Sequence, residues 1–340
     1  MSKKVRLTNL AIYELRNLAR SVGVERPSSM SRSELTSAIR AKQGTSEKPD
    51  INACLAADAE VPCYLQLLEQ DDLSSCETVC TSESFSNYGF VLLLPNGSSI
   101  LISRDLFTYK ICTTLTSSHK LQMGDSIEVV AKIDKGLRKV IEIKNVETYN
   151  ATKVKCIVPH IKSSIWDNEF TLGSRILVLA DKTYNRVGDI AKFQNPNVYR
   201  MALLIEENDE SVEFLCNNKI DETFLVKVDM PTRKQVALCL YALFSAKRLA
   251  YSGKSVIFFI DSLSKMWRIY SKCAAKDELV PVNMIHIGAM ADLKKYFMAP
   301  KALEKGGDLS IVGFVNNPTS EVESYIYDEL SNLANLIITK

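Results

Sequence analysis

The sequence predicts a multidomain chain of α+β and α/β class: a small N-terminal helical unit, a small β-barrel and a parallel-sheet core. Three observations predict it. Residues 1–43 carry helical spacing broken by a turn, Val61 to Val146 carry short alternating apolar runs, and from Ile157 onward apolar runs alternate with helical patterns. At 340 residues the chain is long enough for two or three domains with a sizeable core.

In the first segment Leu7, Leu10, Leu15, Leu18 and Ala19 fall on a helical stripe that Gly23 stops. Ser31 is placed to cap a second helix presenting Leu35, Ala38 and Ile39. Nine basic residues stand against three acidic ones in 1–43, which suits either a polyanion surface or a solvated helical face. Residues 44–60 open on GTSEKPDIN and read as a linker.

Residues 61–150 form the predicted barrel. NYGFVLLL, PNGSS and ILIS make one hairpin; MGDSIEVVAKI, DKG and LRKVIEIKNV make another. Tyr88 and Phe90 alternate onto one face of their strand. Two readings stand for this pair: an exposed platform for stacking the bases of single-stranded nucleic acid, or core packing.

Residues 151–340 supply buried-strand candidates at 176–180, 201–206, 224–228, 255–261 and 309–315, with long helical patterns at 232–251 and 288–304. Strand followed by helix at this period predicts a mostly parallel sheet with flanking helices. The stretch GSRILVLADKTYNRVGDIAKF has the outline of a strand, phosphate loop and helix, but its glycine, lysine and hydroxyl do not stand at GxxxxGK[ST] spacing.

Composition is ordinary for a globular protein, with 46% hydrophobic and 24% charged residues. No apolar run approaches the ~18 residues of a membrane span, and MSKKVRLTNL lacks a signal peptide's apolar core, so the expected location is the cytoplasm with no membrane partner. The nine cysteines are scattered, and the close pair Cys76 and Cys80 has no second pair or histidine near it in sequence, so neither a disulfide framework nor a zinc site is expected.

Segments in order along nearly the whole chain resemble the Rho family of bacterial transcription termination factors. SVGVERPSSMSRSEL is similar to the family's N-terminal helical signature. NYGF and LQMGDSIEV resemble its cold-shock (OB-like) RNA-binding barrel, which carries Phe-Gly-Phe and Arg-Thr-Gly-Asp. SVIFFIDSLSKMWRIYSK and GGDLSIVGF resemble the Walker B strand, helix and next strand of its RecA-like ATPase core; MALLIEENDESV and ESYIYDELSNLANLIITK fill the gaps.

The resemblance implies a P-loop NTPase fold whose phosphate loop is degenerate. ADKTYNRV occupies the loop, with Asn185 for the glycine, Arg186 for the lysine and Val187 for the magnesium-binding hydroxyl; Lys182 and Thr183 form a Lys-Thr pair four positions early. Asp261 stands at the Walker B aspartate and Glu207 at the catalytic glutamate, as vestigial catalytic candidates or as caps of the following turn or helix. Leu279 replaces the lysine of the RNA-gripping pore loop, and the family continues past the position of Lys340 through an arginine finger.

What the resemblance implies is therefore an RNA-binding, Rho-derived protein that acts on single-stranded RNA, Rho or RNA polymerase, alone or in a homo- or hetero-hexameric ring, without ATP-driven translocation. A divergent RNA-dependent ATPase binding ATP and Mg2+ is the alternative, and an inactive remnant a third. The implied RNA contacts are Tyr88, Phe90, Arg104 and Lys110, with Lys120, Lys132, Lys135, Arg138 and Lys139 adding a salt-sensitive term while Leu92 replaces one arginine.

Overall fold

The structure, a computed structural model, describes residues 68, 84–94, 98–134, 137–148, 156–157, 161–181, 183–273, 279–280, 285–304 and 307–340. The predicted helical pair at 1–43, the linker, Cys76, Cys80 and Lys182 lie outside the described residues.

Five strands close a barrel in the order β1-β2-β3-β5-β4: β1 (Phe85–Leu93), β2 (Ser99–Ser103), β3 (Thr108–Ile111), β4 (Ser126–Asp134) and β5 (Leu137–Glu147). Both predicted hairpins are present, and the helix α1 (Thr113–Ser118) connects β3 to β4. Period-two alternation sends Val91, Leu101, Tyr109, Ile127, Val129 and Ala131 into the barrel. Gly89 sits at the tightest crossing, where a Cβ would collide with the Ile102 carbonyl oxygen of β2.

The opposite faces of β1 and β2 carry Phe90, Leu92, Ile100 and Ile102, and these belong to the apolar core of the α/β part. That part starts with β6 (Cys156–Ile157) and a ribbon of β7 (Lys162–Ile165) and β8 (Asn168–Thr171). Next come β9 (Arg175–Ala180), α2 (Arg186–Lys192), β10 (Tyr199–Ile205), α3 (Asp209–Asn217), β11 (Glu222–Val226), α4 (Thr232–Tyr251), β12 (Ser255–Asp261) and α5 (Leu263–Cys273). A second ribbon, β13 (Leu279–Val280) with β14 (Ile285–His286), precedes α6 (Ile287–Phe297), β15 (Lys301–Leu303), β16 (Asp308–Asn316), α7 (Glu321–Ser331) and β17 (Leu336–Thr339).

Six of these strands run parallel in the order β11-β10-β12-β16-β9-β17, and β15 and β6 add antiparallel pairs beside the start of β16. Apolar residues cover both faces of the sheet, as a parallel sheet between helices requires. Met201, Leu203, Phe258, Ile260 and Ile311 pack under α4, α5 and α6, while Ala202, Leu204, Ile257, Phe259 and Phe314 pack with α2 and α3.

One predicted boundary is corrected. The helical pattern 288–304 ends at Phe297, because Pro300 biases Ala299 away from helical backbone and offers no N–H, and the chain turns into β15. Among the described residues no helix is long and apolar enough to cross a membrane.

Candidate functional site

In an open parallel sheet, ligands approach the carboxyl ends of the strands. Here β9 ends at Ala180, β10 at Ile205, β12 at Asp261 and β16 at Asn316, and the loops beyond them border a cleft of about 700 Å³. Parallel pairing fixes the relative heights, setting Leu204 beside Asp261 and Asn316 beside Ala180. The cleft gathers Arg186, Glu207, Asp261, Lys265 and Asn316, so three of the sequence-predicted residues meet there.

The central contact is internal. Arg186 Nη1 donates to Asp261 Oδ1 at 3.0 Å, and both side chains are buried, 7% and 3% exposed. Arg186 Nη2 donates to Asn316 Oδ1 at 2.7 Å and to the Ala180 carbonyl at 3.2 Å. Asn316 is held in turn, its Nδ2 donating to Glu323 Oε1 at 3.1 Å. A planar guanidinium can serve acceptors on two strand ends at once, which a lysine ammonium would not reproduce.

Burial pushes the Asp261 carboxyl above its ordinary range, while the bonded Arg186 and the nearby Lys265 pull it back. Glu207 forms its own ion pair with Lys265, Nζ to Oε1 at 2.6 Å, across from Asp261. The residue before it, Glu206, has positive φ (56°), and its carboxylate faces Arg268 at 4.0 Å.

Three backbone N–H groups of this stretch are bonded within the chain. The N–H of Tyr184 donates to the Asp181 carbonyl at 3.1 Å, that of Arg186 to the Tyr184 carbonyl at 2.9 Å, and that of Gly188 to Asn185 Oδ1 at 2.8 Å. Asn185 thus caps α2, and a Cβ at Gly188 would crowd the capping amide of Asn185 at 2.7 Å. Thr183 is exposed and does not line the cleft, whereas Val187 lines it and packs in part on the apolar layer under α2.

This donor set does not fit a magnesium nucleotide. Arg186 and Asp261, the cation and the acid that would have to face a phosphate and a metal, are bonded to each other, Val187 offers no oxygen ligand, and the loop N–H groups named above bond to the chain itself.

In the barrel the core-packing reading of Phe90 is the one the geometry bears out. Phe90 is 2% exposed and packs edge-on against Tyr241 of α4, ring centroids 5.0 Å apart, with Phe244 at 5.8 Å. Leu92 is buried on the same face. Tyr88 is half-buried; its hydroxyl bonds Ser126 and Arg248, and the Arg248 guanidinium lies over its ring at 5.6 Å. Arg248 also pairs with Glu147 of β5 at 2.6 Å.

Phe90 therefore belongs to a joint between barrel and α4, where the apolar surface of that helix covers it. Arg104 is exposed; burial raises the pKa values of Glu222 and Tyr241, and the nearby Arg104 charge offsets only part of that rise. Lys110 is exposed on the outer face of β3.

Sequence reasoning missed Asn316 and Lys265. Asn316 closes the apolar run of β16 as Asp261 closes β12, and Lys265 lies one helical turn past Asp261. Both positions were visible in the sequence; their partners, more than fifty residues away, were not.

No protein-family model matches the chain. It is similar to transcription termination factor Rho of Karelsulcia muelleri (strain SMDSEM), 25% identical over 204 residues that make up 54% of each chain. It is similar to Rho of Micrococcus luteus, 26% identical over 44% of this chain and 22% of that protein. Rho of Pseudomonas fluorescens biotype C is 28% identical over 45% of this chain and 36% of that one. The chain spans about half, or less, of the length of these curated relatives. Among solved structures, a prototypical ATPase from the type III secretion system of pathogenic bacteria aligns at TM-score 0.45 and 19% identity, covering 50% of this chain and 52% of that one.

Proposed function

We propose that this chain, a divergent Rho-like protein, works by binding single-stranded RNA, Rho subunits or both to modulate transcription termination, without driving ATP-powered translocation itself. The reading takes the parallel sheet as a RecA-like core with a degenerate phosphate loop, the barrel as an OB-like RNA-binding domain, and the cytoplasm as the location. The observation that carries it is the bond from Arg186 to Asp261, seconded by Asn316 and the Ala180 carbonyl. Phosphoryl transfer needs a cation on the phosphates and an acid on the metal as separate, available groups. In this chain the two neutralise each other.

A Rho-like chain without a working nucleotide site would join a Rho ring and stall it. The test is titration of ATP with magnesium, with and without single-stranded RNA, followed by titration of the chain into active Rho. The expected result is no nucleotide binding, salt-dependent RNA binding, and a fall in Rho turnover or termination. RNA-stimulated ATP hydrolysis that disappears with Asp261→Asn would overturn it.

That outcome would favour the second reading, a divergent RNA-dependent ATPase. Its support is the size of the cleft, about 700 Å³, with Glu207 and Asp261 both on its wall.

A further inference from the structure

With the outer faces of β1 and β2 taken up against α4, the remaining outer wall of the barrel is formed by β3, β5 and β4. Across that wall the register sets Lys110 of β3 opposite Lys139 of β5, and Lys139 opposite Lys132 of β4. Alternation confirms that all three point outward: Tyr109, Ile111, Ala131 and Val140 beside them are buried in the barrel interior. On the other side Lys110 is opposite Ile100, which is buried toward the α/β part, so the row begins where the joint ends.

Neighbouring strands are ~4.8 Å apart, so three ammonium-bearing stems stand in a row about 10 Å long. Like charges directly opposite one another on a sheet are destabilising, and a polyanion laid along the row would relieve that repulsion. Asp134 meets Lys139 at 3.5 Å with both side chains more than two-fifths exposed, and Glu142 lies in the next row along β5.

We infer that the β3-β5-β4 wall is the track for the backbone of single-stranded RNA, with Lys110, Lys139 and Lys132 as its phosphate contacts, in place of the buried Phe90 of β1 and its half-buried neighbour Tyr88. The inference rests on the RNA-binding reading and adds to it where, and through which chemistry, RNA is held. Contact through ammonium groups on phosphates is sequence-tolerant and strongly salt-dependent.

The test is binding of a fluorescein-labelled single-stranded RNA oligonucleotide to the full chain across a salt series. Each phosphate contact on a single strand contributes about 0.7 to the slope of log K against log salt, so Lys110→Gln/Lys132→Gln/Lys139→Gln is expected to flatten the slope by about 2. A control triple, Lys162→Gln/Lys219→Gln/Lys272→Gln, removes the same charge from exposed positions of the α/β part and is expected to leave the slope near that of the parent. Parent binding with an unchanged slope in the first triple, or an equal loss in both triples, overturns the track and leaves RNA binding standing. No RNA binding by the parent overturns both.

Discussion

Arg186 and Asp261, seventy-five residues apart, meet as a buried ion pair at 3.0 Å between the first residue of α2 and the carboxyl end of β12. The pair joins neighbours on either side of β16, whose Asn316 takes the other guanidinium nitrogen. Removing one member strands the other. Arg186→Met is expected to cost about 3–5 kcal/mol in urea unfolding, and Arg186→Lys to recover only part of it. Arg186→Met/Asp261→Leu should cost clearly less than the two single changes summed; additive costs would mean the pair does not hold the strand ends together.

Asn316→Ala leaves a guanidinium nitrogen with only carbonyl acceptors. The expected loss is about 1–3 kcal/mol. In the Arg186→Met background the same change should cost much less, since no guanidinium then waits for the amide; an equal cost in both backgrounds would place the role of Asn316 elsewhere, for instance in its bond to Glu323.

Phe90 distinguishes joint from platform. Phe90→Ala is expected to lower stability by about 3–5 kcal/mol through the cavity it leaves against Tyr241 and Phe244. Phe90→Leu, which keeps most of the apolar volume, should leave RNA affinity within a factor of two or so, whereas a stacked base would lose about 1–3 kcal/mol. A large affinity loss in a folded Phe90→Leu variant would return the ring to the RNA.

Lys247 of α4 lines a second, smaller pocket with Met123, Phe244 and Lys301, and burial, followed by the Lys301 charge, lowers its pKa to about 8. A lysine lowered in the folded state binds fewer protons there than in the unfolded chain between about pH 8 and its ordinary value near 10.4. Stability from this group therefore rises with pH through that window, and its penalty is fully present below it. Lys247→Met should be more stable than the parent at pH 7, with the difference shrinking as pH approaches 10.4. A difference that does not change with pH would remove Lys247 titration as its source.

Much of this architecture is legible in local sequence. Alternation marks β1 and β2, the DKG turn marks the β4–β5 hairpin, and continuous runs such as SVIFFID mark strands buried on both faces. The end of α6 was misread because its helical pattern of apolar residues continues into β15, and Pro300 outweighs it.

The candidate site divides along the same line. By itself the sequence determined which residue types stand after each strand: an arginine and a valine after β9, an aspartate closing β12 and a glutamate after β10. Only the tertiary structure decided what those groups do, because burial and partnership depend on strands brought together from distant parts of the chain. Parallel pairing through β16 brings Arg186 within reach of Asp261, and packing against α4 turns Phe90 from a surface aromatic into core. A side chain's alternation names the face it points to, and the element packed on that face settles whether it meets solvent, a ligand or the rest of the protein.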